Sequence, residues 1–213
     1  MLEYHKIETV FNRDEATKRL IIGSFRNPAI EYLKDNKWVF TEKVDGTNIR
    51  IYWDGHNVQF GGRTDKAQIP NQLLDRLNEL FGGNVNEEMF EQKFGDHQVE
   101  LFGEGYGPKI QNGGLYRDNV DFILFDVMIS GNYQSRESVE DIAKYFNIDV
   151  VPIVLEGTID DAINYVKSNP DSVIAKNGAK MEGVVGRPAV ELNSRTHNRI
   201  IVKIKYEDFK DEK

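Results

Sequence analysis

The chain contains no cysteine, which excludes disulfides, a thiolate nucleophile and cysteine-bound zinc together. Histidine is nearly as scarce: His5, His56, His97 and His197 are scattered and form no H-E-x-x-H pair, so a histidine metal centre is not expected. No run of eighteen apolar residues occurs, which leaves no stretch able to cross a membrane as a helix. The opening Met1-Leu-Glu-Tyr-His-Lys lacks the apolar core of a signal peptide, and a cytoplasmic setting is the expectation. Several nucleotide and hydrolase signatures are missing too. There is no G-x-x-x-x-G-K-[ST] loop, no G-x-S-x-G elbow, and Gly103, Gly105 and Gly107 do not open a dinucleotide-binding helix. Positive charge is in deficit: 27 Lys plus Arg face 35 Asp plus Glu, for a net charge of −8. That argues against coating nucleic acid through bulk charge, while a local basic strip is still allowed.

With 213 residues, 39% apolar and 29% charged, the chain can bury a core, and no repeat, low-complexity tract or Pro/Ser linker divides it. Residues 37–42 read as a strand from their aromatic and β-branched content. Residues 48–53 alternate, with Ile49, Ile51 and Trp53 on one face and Asn48, Arg50 and Tyr52 on the other. Asp54-Gly55 then turns the chain into Val58 and Phe60, a hairpin. Leu73, Leu74, Leu77, Leu80 and Phe81 share one helical face that Gly82-Gly83 ends. Val99 and Leu101 begin another strand, and residues 121–129 form a strongly apolar one. Ser138 and Asp141 suggest a capping box ahead of Val139, Ile142, Ala143 and Phe146. A strand at 149–155, a helix near 159–168 and strands near 182–187 and 199–206 complete the reading. Hairpins mixed with separate helices indicate an α+β fold with mainly antiparallel sheets flanked by helices.

Against this background one set of polar residues stands out by its order. Lys43 lies in Glu-Lys-Val-Asp-Gly-Thr-Asn, residues 42–48, at a strand end beside a glycine turn. Arg63 follows in Gly-Gly-Arg-Thr-Asp, and Glu104 in Gly-Glu-Gly-Tyr-Gly ahead of Ile-Gln-Asn-Gly-Gly. Phe125-Asp126 sits in the apolar strand, Glu182 in Lys-Met-Glu-Gly-Val-Val-Gly-Arg-Pro, and Lys203 and Lys205 in Ile-Ile-Val-Lys-Ile-Lys-Tyr. Taken singly, most of these have ordinary readings: solvated surface lysines and turn glutamates, a core phenylalanine, a hairpin arginine. Lys203 and Lys205, two apart on a strand, share a face while Val202 and Ile204 take the other. Asp126, inside an apolar strand, needs a partner or a function.

The ordered set, spanning about residues 37–206, resembles the covalent nucleotidyltransferase superfamily of ATP-dependent ligases and capping enzymes. Within it the Lys-Val-Asp-Gly-Thr-Asn and Ile-Gln-Asn-Gly-Gly segments look most like the nick-sealing RNA ligases of phages. The resemblance implies a ligase adenylation-domain fold over residues 1–213 and an ATP-dependent RNA ligase that passes through a lysyl-AMP intermediate. Lys43 would be the nucleophile, with Lys203 and Lys205 on the α-phosphate. Glu104 would take the ribose, Phe125 the adenine face, and Glu42 the adenine through its backbone. Arg63 would bridge nucleotide and RNA, and Glu182 and Asn48 would serve the nucleotide and its divalent metal. The implied cofactors are ATP and Mg²⁺, with Mn²⁺ as an alternative, and the implied partners are RNA ends or a nicked RNA duplex. An amine attacks phosphorus only when neutral, and a free lysine is almost wholly protonated near neutral pH, so neighbouring cations and a metal suit the task.

Two departures from the family pattern bear on this. The chain stops soon after Lys205, from which the expectation is no C-terminal accessory domain, with a separate partner chain as a substitute for it. The family arginine ahead of the paired lysines has two candidates here, Arg195 and Arg199, in a strip from 192 to 206 that carries no acid. The rival readings are a DNA ligase, a GTP-dependent capping-type enzyme, and a non-catalytic nucleotide- or RNA-binding module.

Overall fold

The structure is a computed structural model that describes residues 1–176, 178–193 and 199–210. In chain order the elements are β1 (Glu8–Thr9), β2 (Phe11–Arg13), β3 (Leu20–Phe25), α1 (Pro28–Leu33), β4 (Trp38–Glu42), β5 (Thr47–Trp53) and β6 (Val58–Gly61). They continue as α2 (Asn71–Phe81), α3 (Asn84–Phe94), β7 (Val99–Tyr106), β8 (Asp121–Ile129), β9 (Asn132–Tyr133) and α4 (Arg136–Tyr145). The last are β10 (Asp149–Val150), β11 (Ile153–Gly157), α5 (Ile159–Lys167), β12 (Gly183–Pro188) and β13 (Val202–Lys205). The chain forms two compact units: Met1–His5 with Asp45–Val151, and Lys6–Val44 with Pro152–Lys213. The boundary falls inside the motif, between Val44 and Asp45.

The first unit carries a six-stranded sheet in the order β10-β8-β7-β5-β6, with β9 on β8. All its pairings are antiparallel except β10 with β8. Strand alternation puts Ile49, Ile51, Trp53, Val99 and Leu101 into one cluster with Leu73, Leu77 and Phe81 of α2 and Val139 and Ile142 of α4. The opposite face carries Asn48, Arg50, Tyr52 and the even-numbered residues of β7. In β8 the register passes from Phe102 opposite Asp126 to Gly103 opposite Leu124, leaving Phe125 as the extra residue of a β-bulge. The bulge reverses the strand's phase, so Leu124 and Val127 both reach the core.

The second unit holds a five-stranded sheet in the order β1-β13-β12-β4-β11 and the separate β2–β3 hairpin. Its core joins Trp38 and Phe40 of β4 with Ile159, Ala162, Ile163 and Val166 of α5 and Val184, Val202 and Ile204 of the sheet. Helix α5 starts on a true capping box, with Thr158 and Asp161 exchanging side-chain-to-backbone bonds.

The α+β class, the antiparallel sheets, helix α2 and the 48–53 hairpin agree with the sequence reading. Four local expectations shift. The α4 cap is Ser135, whose Oγ accepts from Ser138 N at 3.3 Å, so the helix starts one turn earlier than the Ser138 reading. Arg136 secures that earlier start by donating to Val151 O at 2.8 Å and pairing with Glu140 at 2.6 Å. The expected 149–155 strand is two strands: Pro152, with no N–H to give, separates β10 in the first unit from β11 in the second. The 199–206 strand shortens to Val202–Lys205. Finally, Arg50, on the polar side of the β5 alternation, is wholly buried.

Close strand packing in the first unit depends on Gly103. A Cβ there would lie 2.2 Å from the Phe122 ring and 2.4 Å from Ile123 O. Gly103→Ala should therefore cost about 1–3 kcal/mol or more through overpacking. Gly114→Ala, whose new Cβ would meet nothing closer than Pro108 Cα at 3.6 Å, should stay within about 0.5 kcal/mol of the parent. Urea unfolding of the two variants checks this, and equal stabilities would contradict the strand packing.

Candidate active site

In the second unit, β4 delivers Lys43 directly beside β12. The Lys43 N–H donates to Gly183 O at 2.9 Å, and Gly183 sits opposite Lys205 in the register. A Cβ on Gly183 would fall 2.1 Å from Ile204 O, so glycine is what lets β12 and β13 approach here. Glu182, one residue earlier, is fixed through its carbonyl, which accepts from Tyr206 N at 3.0 Å. Its carboxylate lies between two ammonium groups: Oε2 is 2.6 Å from Lys43 Nζ and Oε1 is 2.6 Å from Lys205 Nζ. Lys203 stands on the same face of β13 as Lys205, with Val202 and Ile204 buried on the other. The structure thus gathers Lys43, Glu182 and Lys205 into one charge-assisted cluster with Lys203 beside it.

Glu42, next to the nucleophile candidate, is fully buried. Its Oε1 accepts from the Ser172 hydroxyl and its Oε2 from Val173 N at 2.8 Å. Burial pushes its carboxyl above the ordinary glutamate value, and the bonds from Ser172 and Val173 work against that rise. The side chain therefore has a structural task, holding the 172–175 turn to the end of β4, which the sequence reading did not give it.

In the first unit, Asn48 and Glu104 are direct register partners on neighbouring strands β5 and β7, on the face away from the helices. Asn48 Oδ1 is buried and accepts no hydrogen bond. Phe125, half-buried at the bulge, meets the Tyr4 ring edge-on at 5.1 Å. Asp126, fully buried, accepts from the Tyr4 hydroxyl at 2.8 Å, which supplies the partner its sequence position required. Arg63 is exposed on the loop after β6. Asp45 of the motif accepts from Asn112 Nδ2 at 2.7 Å, tying it to the Ile-Gln-Asn-Gly-Gly segment.

Of the two arginine candidates, Arg199 pairs with Glu191 and Arg195 lies outside the described residues. Sequence reasoning missed the Glu42–Ser172, Asp45–Asn112 and Asp126–Tyr4 pairs. The second had a signal in that both its residues fall within the motifs, and the third in that a buried Asp126 called for a partner without indicating Tyr4. Among the described residues, no group of three or more His, Cys, Asp or Glu side chains is arranged to hold a metal, and no helix is long and apolar enough to cross a membrane.

A family model described as RNA ligase matches residues 36–205. An apo form of Naegleria gruberi RNA ligase superposes with a TM-score of 0.67 at 19% identity, covering 99% of this chain and 57% of that one. A form of the same enzyme with ATP and Mn gives 0.63 at 20% identity, with 87% and 54% covered. The form with PPi gives 0.63 at 19% identity, with 98% and 64% covered. The chain thus spans about half to two thirds of the length of these structures, and at such identities the likeness establishes the fold. Among curated proteins none matches.

The buried Glu42 carboxyl makes a pH prediction. Its pKa is raised on folding, so between the ordinary value of 4.5 and the raised one the native state holds a proton that the unfolded chain has released. Stability should fall as pH climbs through that interval. In Glu42→Gln this slope should be lost, while the amide oxygen still accepts from Val173 N. Thermal melts from about pH 4 upward test it, and an unchanged slope would show that Glu42 ionises as an exposed group does.

Proposed function

The chain belongs to the RNA ligase family, and on that footing we propose that it is an ATP-dependent RNA ligase whose nucleophile is Lys43. The observation that carries this reading is the Lys43–Glu182–Lys205 cluster, with both carboxylate oxygens 2.6 Å from an ammonium nitrogen. Two ammonium groups against one carboxylate leave a net positive charge, which suits the approach of a polyphosphate. In the first step Lys43 releases its proton to water, its neutral Nζ forms a bond to the α-phosphorus of ATP, the bond to pyrophosphate breaks, and loss of a second proton to water leaves the lysine as a phosphoramidate of AMP. An RNA 5′-phosphate oxygen then displaces the lysine and takes the AMP. A 3′-hydroxyl finally attacks that 5′-phosphorus, AMP leaves, and the strand is sealed. Each step is a displacement at phosphorus, so the protein's part is positioning and charge stabilisation. Lys205 and Lys203, on one face of β13, are assigned to the α-phosphate oxygens.

Asn48 Oδ1, buried and unpartnered, and Glu182 offer oxygen donors only, and these fit Mg²⁺ or Mn²⁺. Mg²⁺ takes few protein ligands and completes its shell with water and substrate phosphates. The metal when bound supplies charge neutralisation of the triphosphate. Glu104 is assigned to the ribose, Phe125 to the adenine face, Glu42 to the adenine through its backbone, and Arg63 to nucleotide and RNA. Residues 1–213 are read as one adenylyltransferase module acting on RNA ends or a nicked RNA duplex. A cytoplasmic location accords with the cysteine-free composition.

Intact mass after incubation with ATP and Mg²⁺ should show one added AMP, absent with GTP. Lys43→Ala should abolish the adduct; its persistence, or its mapping to another residue, would overturn the assignment. Lys205→Ala should slow adduct formation by about a hundredfold or more. Lys210→Ala, which removes a surface partner of Glu207, should change it little, and equal effects at the two lysines would contradict the clamp.

A further inference from the structure

Arg50 lies in β5 with none of its surface exposed, and the chemistry above gives it no part. A buried guanidinium is costly unless its donors are met. Here they reach three residues on two chain segments: Nε donates to Gly62 O at 2.7 Å, Nη2 to Asp65 Oδ1 at 2.9 Å, and Nη1 to Met1 O at 3.3 Å. Gly62 and Asp65 bracket Arg63 in the chain. The same loop is closed by a turn in which Ala67 N donates to Thr64 O at 3.0 Å. The two glycines before Arg63 leave room for this close packing. A Cβ on Gly61 would sit 2.6 Å from Met1 Sδ and 3.1 Å from Arg50 Nη2, and one on Gly62 would sit 2.9 Å from Ala67 Cβ. The loop backbone is thus pinned from below by a rigid planar fork, while the Arg63 side chain extends into solvent.

We infer that Arg50 is a positioning residue: its buried guanidinium, bonded to Gly62 and Asp65, fixes the loop that presents Arg63 to substrate. This rests on the ligase reading, in which Arg63 contacts nucleotide and RNA. Lysine cannot replace Arg50, because an ammonium cannot span two acceptors on either side of Arg63 with the fixed geometry of the fork. A residue that acts through another adds nothing once that other is gone, and this separates positioning from general support of the fold.

The test uses the full chain charged with AMP and measures sealing of a nicked RNA duplex by Arg63→Ala, Arg50→Lys and the double variant. Asp65→Ala is carried in parallel, alone and with Arg63→Ala. Asp65 has a largely exposed side chain, so this arm holds even where the Arg50 change impairs folding. Arg63→Ala should slow sealing about tenfold or more, and Arg50→Lys and Asp65→Ala should each slow it measurably. Each double variant should match Arg63→Ala within about twofold, the mark of coupled positions. The division of each loss between KM for RNA and kcat should follow that of Arg63→Ala. Losses that multiply in the double variants, or a different KM and kcat division, would make Arg50 a purely structural residue and overturn the inference. Normal adduct formation with no effect of Arg63→Ala would also overturn it and leave the ligase reading standing. Absence of any lysyl-AMP in the parent chain would remove both.

Discussion

A single carboxylate shared by two ammonium groups governs the arrangement of the second unit. For Glu182 to lie 2.6 Å from both Lys43 and Lys205, three strands must run side by side with β12 between β4 and β13. That closeness in turn demands glycine at 183, against the backbone of Ile204, and at 186, where a Cβ would meet the Phe40 ring at 2.3 Å. The apolar residues of β12 and β13 then fall on the far side, with α5. Electrostatic attraction and core packing therefore select the same register. A slip of one residue would bury the lysines and expose Val202 and Ile204.

Other buried charges in the molecule follow the same economy, each finding a partner from a distant part of the chain. Asp126 is met by Tyr4, Glu42 by Ser172 and Val173, and Arg50 by Gly62, Asp65 and Met1. In a medium where an unmet charge is strongly penalised, such pairs act as checks on tertiary arrangement more than as sources of net stability. The N-terminal residues are recruited this way: Tyr4 closes over Phe102, Phe125 and Asp126.

How much of this the sequence announced differs by feature. Periodicity exposed α2, α5, the apolar strands and the shared face of Lys203 and Lys205, because alternation and the 3.6-residue repeat are local properties. Helix α3 went unread: the Gly82-Gly83 stop reads as a turn, and only Phe90 and Phe94 of the helix are buried. Nothing in residues 121–129 marks Phe125 as a bulge, since the extra residue is defined by its pairing with β7. Arg50 follows the polar phase of β5 faithfully; its burial comes from the Gly61–Asp65 loop folding over it. For the candidate site, motif order nominated Lys43, Glu182 and Lys205 but carried no hint that the carboxylate would sit between the lysines. Distances between segments far apart in sequence are a property of the fold.

The two units are interleaved along the chain, crossing at His5, Val44 and Val151, and this has a consequence for biosynthesis. A ribosome releases all of the first unit before it releases β11, β12 or β13. The first unit can therefore complete its core during translation, while β4 waits for strands made long afterwards. During that interval the apolar face of Trp38 and Phe40 has no sheet partner beyond β4, and Lys43 has no Glu182. The second sheet is a late, long-range assembly of the kind that closes slowly, and Lys43 acquires its carboxylate only when the last strands dock.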